Sequence, residues 1–577
     1  MTATAPFNLS RRERQTMGIR PMSGPGAMKH RLFTLALTLL FGGLLAPPSY
    51  ATPMALQGDW IGQIDYGKEW QRINFHFTTE KEGFKGTLDL PQQGRNGLPL
   101  NKIVADGSHL LIEWQGRSGL ATYDGQIKDG VIAGEFKQGA SKGAFRLVHV
   151  AKASADLKLY GEYAGSYQLG PDRFVDLAPF AEDEDRPIFF DSKTRRTGVL
   201  YALSETEFFT GPSYGVMFPM ETRVTFVRNK QGEVTGLKWQ ESGARIIQAK
   251  RVSPYRQEEI TFHNGDVTLR GTLTMPATKG PHPALVLVHG SGPERRPGGH
   301  WTHYFSRHGI AYFYFDKRGA GASTGDWNNA RLEDLAGDVL AAVQTLRDHK
   351  NINPHQIGLI GHSNGGWVAP LAASRSKEIA FLIVKSGSAL PVYENIVYEL
   401  EMDMRAAGNF AETEIAQAKA LRQQLNQTLL ANTGWEPLMS ALEKAKSERW
   451  YGYARVQWLP YVSPPLDSVS NSFLSGLRKQ IDFDPASTWE KVQCPVLVLL
   501  GELDANVPSK ASAPIMERGL KRSDNHDYTI RILPKANHGL FEAQTGYSNE
   551  SPRLTKYAPG YLDGIIAWVR ERLEAKK

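Results

Sequence analysis

Hydrophobic and polar positions alternate through most of residues 55–255, in short runs separated by glycine turns. Ile73-Asn74-Phe75-His76-Phe77 and Leu110-Leu111-Ile112-Glu113-Trp114 are typical, and Asp106-Gly107, Asp124-Gly125 and Asp129-Gly130 supply turns between runs. A period of two with such turns predicts antiparallel strands. Leu56-Gln57-Gly58-Asp59-Trp60-Ile61-Gly62 is similar to Leu159-Tyr160-Gly161-Glu162-Tyr163-Ala164-Gly165, and each opens a β-rich stretch. The repeat predicts two small barrels or sandwiches, 55–152 and 157–254; a single β domain without a repeat is the alternative.

The period changes after residue 258. Ile260–Phe262 and Val267–Leu269 read as a hairpin, and apolar runs then alternate with helical stretches. The expected strands are Ala284–Val288, Ala311–Phe315, Ile357–Ile360, Ile379–Val384, Val496–Leu500 and Tyr528–Leu533. Arg331–His349 places Leu335, Val339, Leu340, Val343 and Leu346 at helical spacing. Continuous Val/Ile/Leu strands between helices predict a parallel sheet covered on both faces, spanning 258–577. Residues 391–485 break the alternation with helices over Glu412–Thr428 and Glu436–Glu448. A helical block between two strands is expected to act as a lid; the alternative is a surface elaboration.

Composition narrows the function. The 577 residues carry 67 Lys/Arg and 60 Asp/Glu. Six of those bases and one acid lie in residues 1–51, so the remainder is close to balanced and gives no reason to expect a nucleic-acid partner. Within that segment, Lys29-His30-Arg31, the apolar run Leu32–Ala46 and Ser49-Tyr50-Ala51 have the form of a secretory signal with cleavage after Ala51. Export to a bacterial periplasm or the medium is expected, with no membrane span left after cleavage, and Met28 is an alternative start to Met1. One cysteine, Cys494, rules out an intrachain disulfide.

The chemistry gathers at Gly361-His362-Ser363-Asn364-Gly365, which follows an expected strand and opens a helix. A serine on so cramped a turn needs flanking glycines, and the turn lifts its hydroxyl above the sheet. A serine also needs a base, and a base needs a carboxylate to orient it. His538, in a loop after the last strand, is expected as the base, against His526 before that strand. Asp504, beyond the strand Val496–Leu500, is expected as the acid, against Glu502. His289-Gly290-Ser291-Gly292 ends the first parallel strand, and the amides of Ser291 and Asn364 are the expected oxyanion donors. Asp316-Lys317-Arg318-Gly319-Ala320-Gly321 reads as a structural turn rather than a phosphate loop. No motif calls for a metal or cofactor.

Together these residues resemble the α/β-hydrolase superfamily over 258–577, most of all bacterial esterases of the serine-aminopeptidase-like branch. Leu269-Arg270-Gly271-Thr272-Leu273-Thr274-Met275-Pro276, the His-Gly-Ser-Gly loop and the Asp-Lys-Arg-Gly-Ala-Gly turn carry that likeness. The resemblance implies an eight-stranded, mostly parallel sheet with a helical lid; the all-β domains expected ahead of it rest on the alternation alone. It also implies an acyl-enzyme on Ser363 with Asp504 and His538 as partners. A carboxylesterase acting on small or medium acyl esters is expected. The alternatives are a peptidase or amidase with the same residues, and an envelope- or ligand-binding protein with a secondary hydrolase domain.

Overall fold

The computed structural model describes residues 56–574, apart from 68–69, 82, 152–156, 181–185, 253–254, 455, 457–477, 479–480 and 482. The signal segment and part of the expected lid lie outside the described residues. The chain divides into two compact units, one ending at His149 and one beginning at Val150.

The first unit is a nine-stranded antiparallel meander from Gly58–Asp65 to Ser141–Val150, and its first strand pairs with its last. The fourth strand, Arg95–Pro99, and the fifth, Lys102–Asp106, end the hydrogen-bonded order at opposite edges. Only two residues join them, so the sheet must curl into a ring that is open at this one place. The alternation read in the sequence turns Ile73, Phe75 and Phe77 inward with Leu110, Ile112 and Trp114. Tyr123 sits between the rings of Phe75 and Phe145, with centroids 5.1 and 5.4 Å away.

The second meander runs from Gly165–Gly170 to Ile247–Val252 and repeats the strand order of the first. The repeat is real in topology, but its register differs from the sequence reading. Leu157–Tyr163 is a short helix, and Gly165, not Gly161, opens the strand. Gly58 and Gly165 both take positive φ, at 118° and 154°. Two residues after each lies a fully buried aromatic, Trp60 or Tyr167.

The α/β portion holds an eight-stranded sheet. Its order is Tyr255–Asn264, Val267–Pro276, Ala311–Phe315, His282–Val288, Ile352–His362, Phe381–Lys385, Val496–Gly501 and Tyr528–Leu533. The first two strands form the expected hairpin, and all pairings from Ala311–Phe315 onward are parallel. Successive residues on each strand face opposite layers. Ala284, Val286 and Val288 join a core with the helices Leu332–Arg347 and Gly365–Ala373. Leu285 faces the other way, to Trp301–Arg307 and Leu562–Glu574. The insertion is helical as expected, with Val392–Ala407, Glu412–Ala431 and Trp435–Ala445 between the sixth and seventh strands of that order.

The second meander keeps its own core yet is joined to the α/β portion by buried groups. Phe190 leaves the meander to pack on His300, Tyr304 and Tyr557. Arg307 meets the fully buried Asp176 at 2.9 Å and lies 4.5 Å from the ring centroid of Phe174. The amides of Thr197, Tyr214 and Gly215 donate to Thr555, Leu554 and Pro552. Backbone pairing and a buried ion pair fix the two parts to one another.

Candidate active site

Ser363 stands between the strand Ile352–His362 and the helix Gly365–Ala373 with φ of 54°, a strained value for a residue with a side chain. The turn explains its glycines. A Cβ at Gly361 would lie 2.2 Å from the Gly365 carbonyl, and one at Gly365 would lie 2.2 Å from the Val288 carbonyl. The Ser363 amide donates to the Lys385 carbonyl at 3.1 Å, which ties the turn to the next strand.

Asp504 and His538 come together from separate loops. The Asp504 side chain is buried, and one of its oxygens accepts the amides of Asn506 and Val507 at 2.9 and 2.8 Å. Both oxygens lie 3.0 Å from His538 Nδ1, so that nitrogen donates to the carboxylate and Nε2 is left to accept. The other candidates stand elsewhere. Glu502 is exposed and accepts the Lys535 amide, while His526 is exposed beside Asp524 at the opposite end of the last strand.

The elbow and this pair are neighbours through His362, whose ring lies 5.2 Å from that of His538. Burial, followed by the charges of Lys385 and His538, pulls the His362 pKa well below the usual histidine range, so it is a neutral wall. Ser363 Oγ makes no hydrogen bond to His538 Nε2 in this structure. Such bonds are often loose until substrate binds.

The glycine loop closes the other side. A Cβ built on Gly290 would be 3.5 Å from Ser363 Cβ, which brings Ser291 and Asn364 to flanking turns, Asn364 at the start of the helix. His289 is buried with its Nε2 toward the Phe315 carbonyl, and burial pushes its pKa down to about 3. Lys317 holds the loop from beneath, its buried ammonium donating to the Gly290 carbonyl at 2.8 Å. Burial brings the Lys317 pKa down to about 8, against the opposing pull of Glu294 and Asp338. The Asp-Lys-Arg-Gly-Ala-Gly turn thus has a positioning task that its sequence did not disclose.

The inserted helix Val392–Ala407 reaches the acid loop. Tyr398 donates to the Asp504 carbonyl at 2.7 Å, and Asn395 to that of Asn506 at 3.1 Å. Among the described residues no group of three or more His, Cys, Asp or Glu side chains gathers as a metal site would.

A family model described as "Alpha/beta hydrolase family" matches residues 285–548. Thiohydrolase aneE of Aspergillus aculeatus is 34% identical over 306 residues, covering 50% of this chain and 92% of that protein. The chain belongs to the α/β-hydrolase family. Esterase EstD of Thermotoga maritima is 24% identical to this hydrolase over 333 residues, 55% of this chain and 68% of its own length. Among solved structures, the Pyrococcus furiosus esterase Pf2001 aligns with 56% of this chain and 91% of its own, at 14% identity and a TM-score of 0.34.

A cavity of about 330 Å³ opens beside His538 and His362. It was not legible in the sequence, because its walls come from distant segments. Phe180, Ile188 and Tyr214 of the second meander line it together with Trp301, Tyr557 and Tyr561 of the hydrolase portion.

Proposed function

We propose that this hydrolase is an exported serine carboxylesterase, with Ser363 as nucleophile, His538 as general base and Asp504 as the carboxylate that orients it. The observation that carries this reading is the clamp of Asp504 on His538 Nδ1, next to a serine held at positive φ. His538 Nε2 takes the hydroxyl proton as Ser363 Oγ attacks the ester carbonyl. The amides of Ser291 and Asn364 receive the negative oxygen. The intermediate collapses, and His538 returns the proton to the departing alkoxide, which leaves as the alcohol. Water then attacks the acyl-enzyme by the same route and frees the carboxylic acid. The partner is a small-molecule acyl ester, and the reaction written this way draws on no metal or cofactor.

The thiohydrolase name of the 34%-identical relative favours one extension. An acyl thioester follows the same steps with a thiolate as the leaving group.

The deciding experiment is hydrolysis of p-nitrophenyl acetate, butyrate and octanoate by the wild type and by Ser363→Ala. Loss of turnover on the order of ten-thousand-fold in the mutant is expected. A folded wild type that turns over none of these esters overturns the reading. Export is tested separately, by N-terminal sequencing of protein from a periplasmic fraction. Thr52 is the expected first residue, and an uncleaved cytoplasmic chain refutes export.

A further inference from the structure

The reaction as written does not say what the cavity beside His538 holds. Its volume, about 330 Å³, lies in the range of small-molecule pockets. His538 and Gly539 line it, so a group inside lies against the base. Aromatic, aliphatic and polar residues share the wall, and apolar atoms make up most of its surface. Lys385 and Glu294 also reach it, but each has an interaction of its own within the protein. Neither calls for a counter-charge in the ligand, and an ion set against the apolar remainder would lose its hydration without return. An uncharged group suits this wall.

Three side chains of the wall belong to the second meander, and the hydrolase portion fixes all three. Phe180 forms an antiparallel bridge with Gly298, on the chain that leaves the glycine loop His289–Gly292. A Cβ built on Gly299 would lie 3.1 Å from Ile188 Cδ1 and 3.2 Å from Phe180 Cδ2. Gly299 also has φ of 76°, so the position favours glycine on both counts, and the meander closes directly on the loop backbone. Tyr214 donates its amide to the Leu554 carbonyl at 2.6 Å. Its ring stands edge-on to Phe541, with centroids 5.6 Å apart, and Phe541 lies in the same loop as His538. A wall held in this way has a set distance from the base, and such a wall selects by size.

We propose that the second meander supplies the specificity wall of this cavity, with Phe180, Ile188 and Tyr214 bounding a subsite for an uncharged hydrocarbon group of the ester. The favoured esters then carry a neutral chain or ring, on the acyl or the alcohol side, that extends from the base to this wall. The proposal rests on the serine-esterase reading for its place in catalysis, but binding to the cavity does not.

Two measurements test it. The first is calorimetric titration of octan-1-ol and of octanoate into the wild type, Ser363→Ala and Phe180→Ala. Octan-1-ol is expected to bind the first two alike, and octanoate to bind them at least about tenfold more weakly. Phe180→Ala is expected to lose about tenfold in affinity for the alcohol. The second measurement is kcat/KM in two neutral series. These are p-nitrophenyl acetate, butyrate and octanoate for the acyl side, and methyl, butyl and octyl acetate for the alcohol side. In the wild type one series rises with chain length, by up to about fourfold for each methylene that the cavity covers. In Phe180→Ala and Tyr214→Ala the long-to-short ratio of that series falls by about tenfold. Lys238→Ala, an exposed change on the same meander, leaves the ratio unmoved. The series that responds tells which side of the ester the cavity holds.

A fold defect alone lowers all members of a series and leaves the ratio as it was. Tyr214 is tied through its backbone, so Tyr214→Ala keeps that hydrogen bond and carries the test should Phe180→Ala fail to fold. No octan-1-ol binding, octanoate bound as tightly as the alcohol, or an unchanged ratio in the active variants overturns the proposal. Octan-1-ol binding that depends on Phe180 in a protein without ester turnover keeps the subsite and rejects the esterase reading instead.

Discussion

The two β meanders share a strand order but not a use. The first draws its hydrophobic core wholly from its own residues, Leu56 to Leu147, and its ion pairs, such as Lys137–Glu135, lie at the surface. The second buries the carboxylates of Asp176 and Asp191, answers the former with Arg307 of the hydrolase portion, and places three side chains in the cavity. Topology alone would not reveal which copy shapes the site. Buried charge does, since a carboxylate out of water must find its partner, here in the hydrolase portion of the same compact unit.

The strongest way to break this comparison is truncation. A chain starting at Leu157 is expected to keep ester turnover within a few-fold of the full protein. A chain starting at Tyr255 is expected to lose it, because Arg307, His300 and the cavity would each lose a wall. Equal activity in both would erase the distinction between the meanders.

Single substitutions sharpen it. Arg307→Met strands Asp176 in the interior and is expected to cost about 3–5 kcal/mol in denaturant unfolding. Lys137→Ala, which removes half of an exposed pair on the first meander, is expected to leave the same midpoint unmoved.

The smallest effect is a pH dependence confined to the first meander. Burial acts to lower the His76 pKa, but hydrogen bonds to Asp59 and Asp89 outweigh it and leave the value raised. A raised pKa in the folded state stabilises below the unfolded value of about 6.5, and the gain fades as pH climbs through the folded pKa. The melting midpoint of this unit is expected to rise modestly from about pH 8 to about pH 6, and His76→Gln to flatten the rise.

What was legible in the sequence follows from how local each constraint is. The sheet of the α/β portion could be read almost strand by strand, because each run is long, apolar and bounded by turn residues. The elbow was legible because Gly361 and Gly365 have no room for a side chain. The choice of Asp504 over Glu502 rested on loop position, and the physical difference is a turn whose amides at Asn506 and Val507 hold one carboxylate inward. The register of the repeat was misread because a glycine pair around an aromatic occurs in both copies, while the helix Leu157–Tyr163 shifts the second. Lys385 gave no signal, since a lysine at the end of an apolar strand ordinarily reaches solvent. Only the distant Trp301 and Tyr561 make it an inner residue.

The cavity that draws on Phe180, Trp301, Lys385, His538 and Tyr561 has a consequence for timing. During synthesis Ser363 leaves the ribosome long before His538, and the wall around Tyr561 follows later still. On the proposed mechanism an unfinished chain is chemically silent. On that mechanism hydrolysis begins only when the helix Leu562–Glu574 has closed the layer that faces Leu285 and Tyr312.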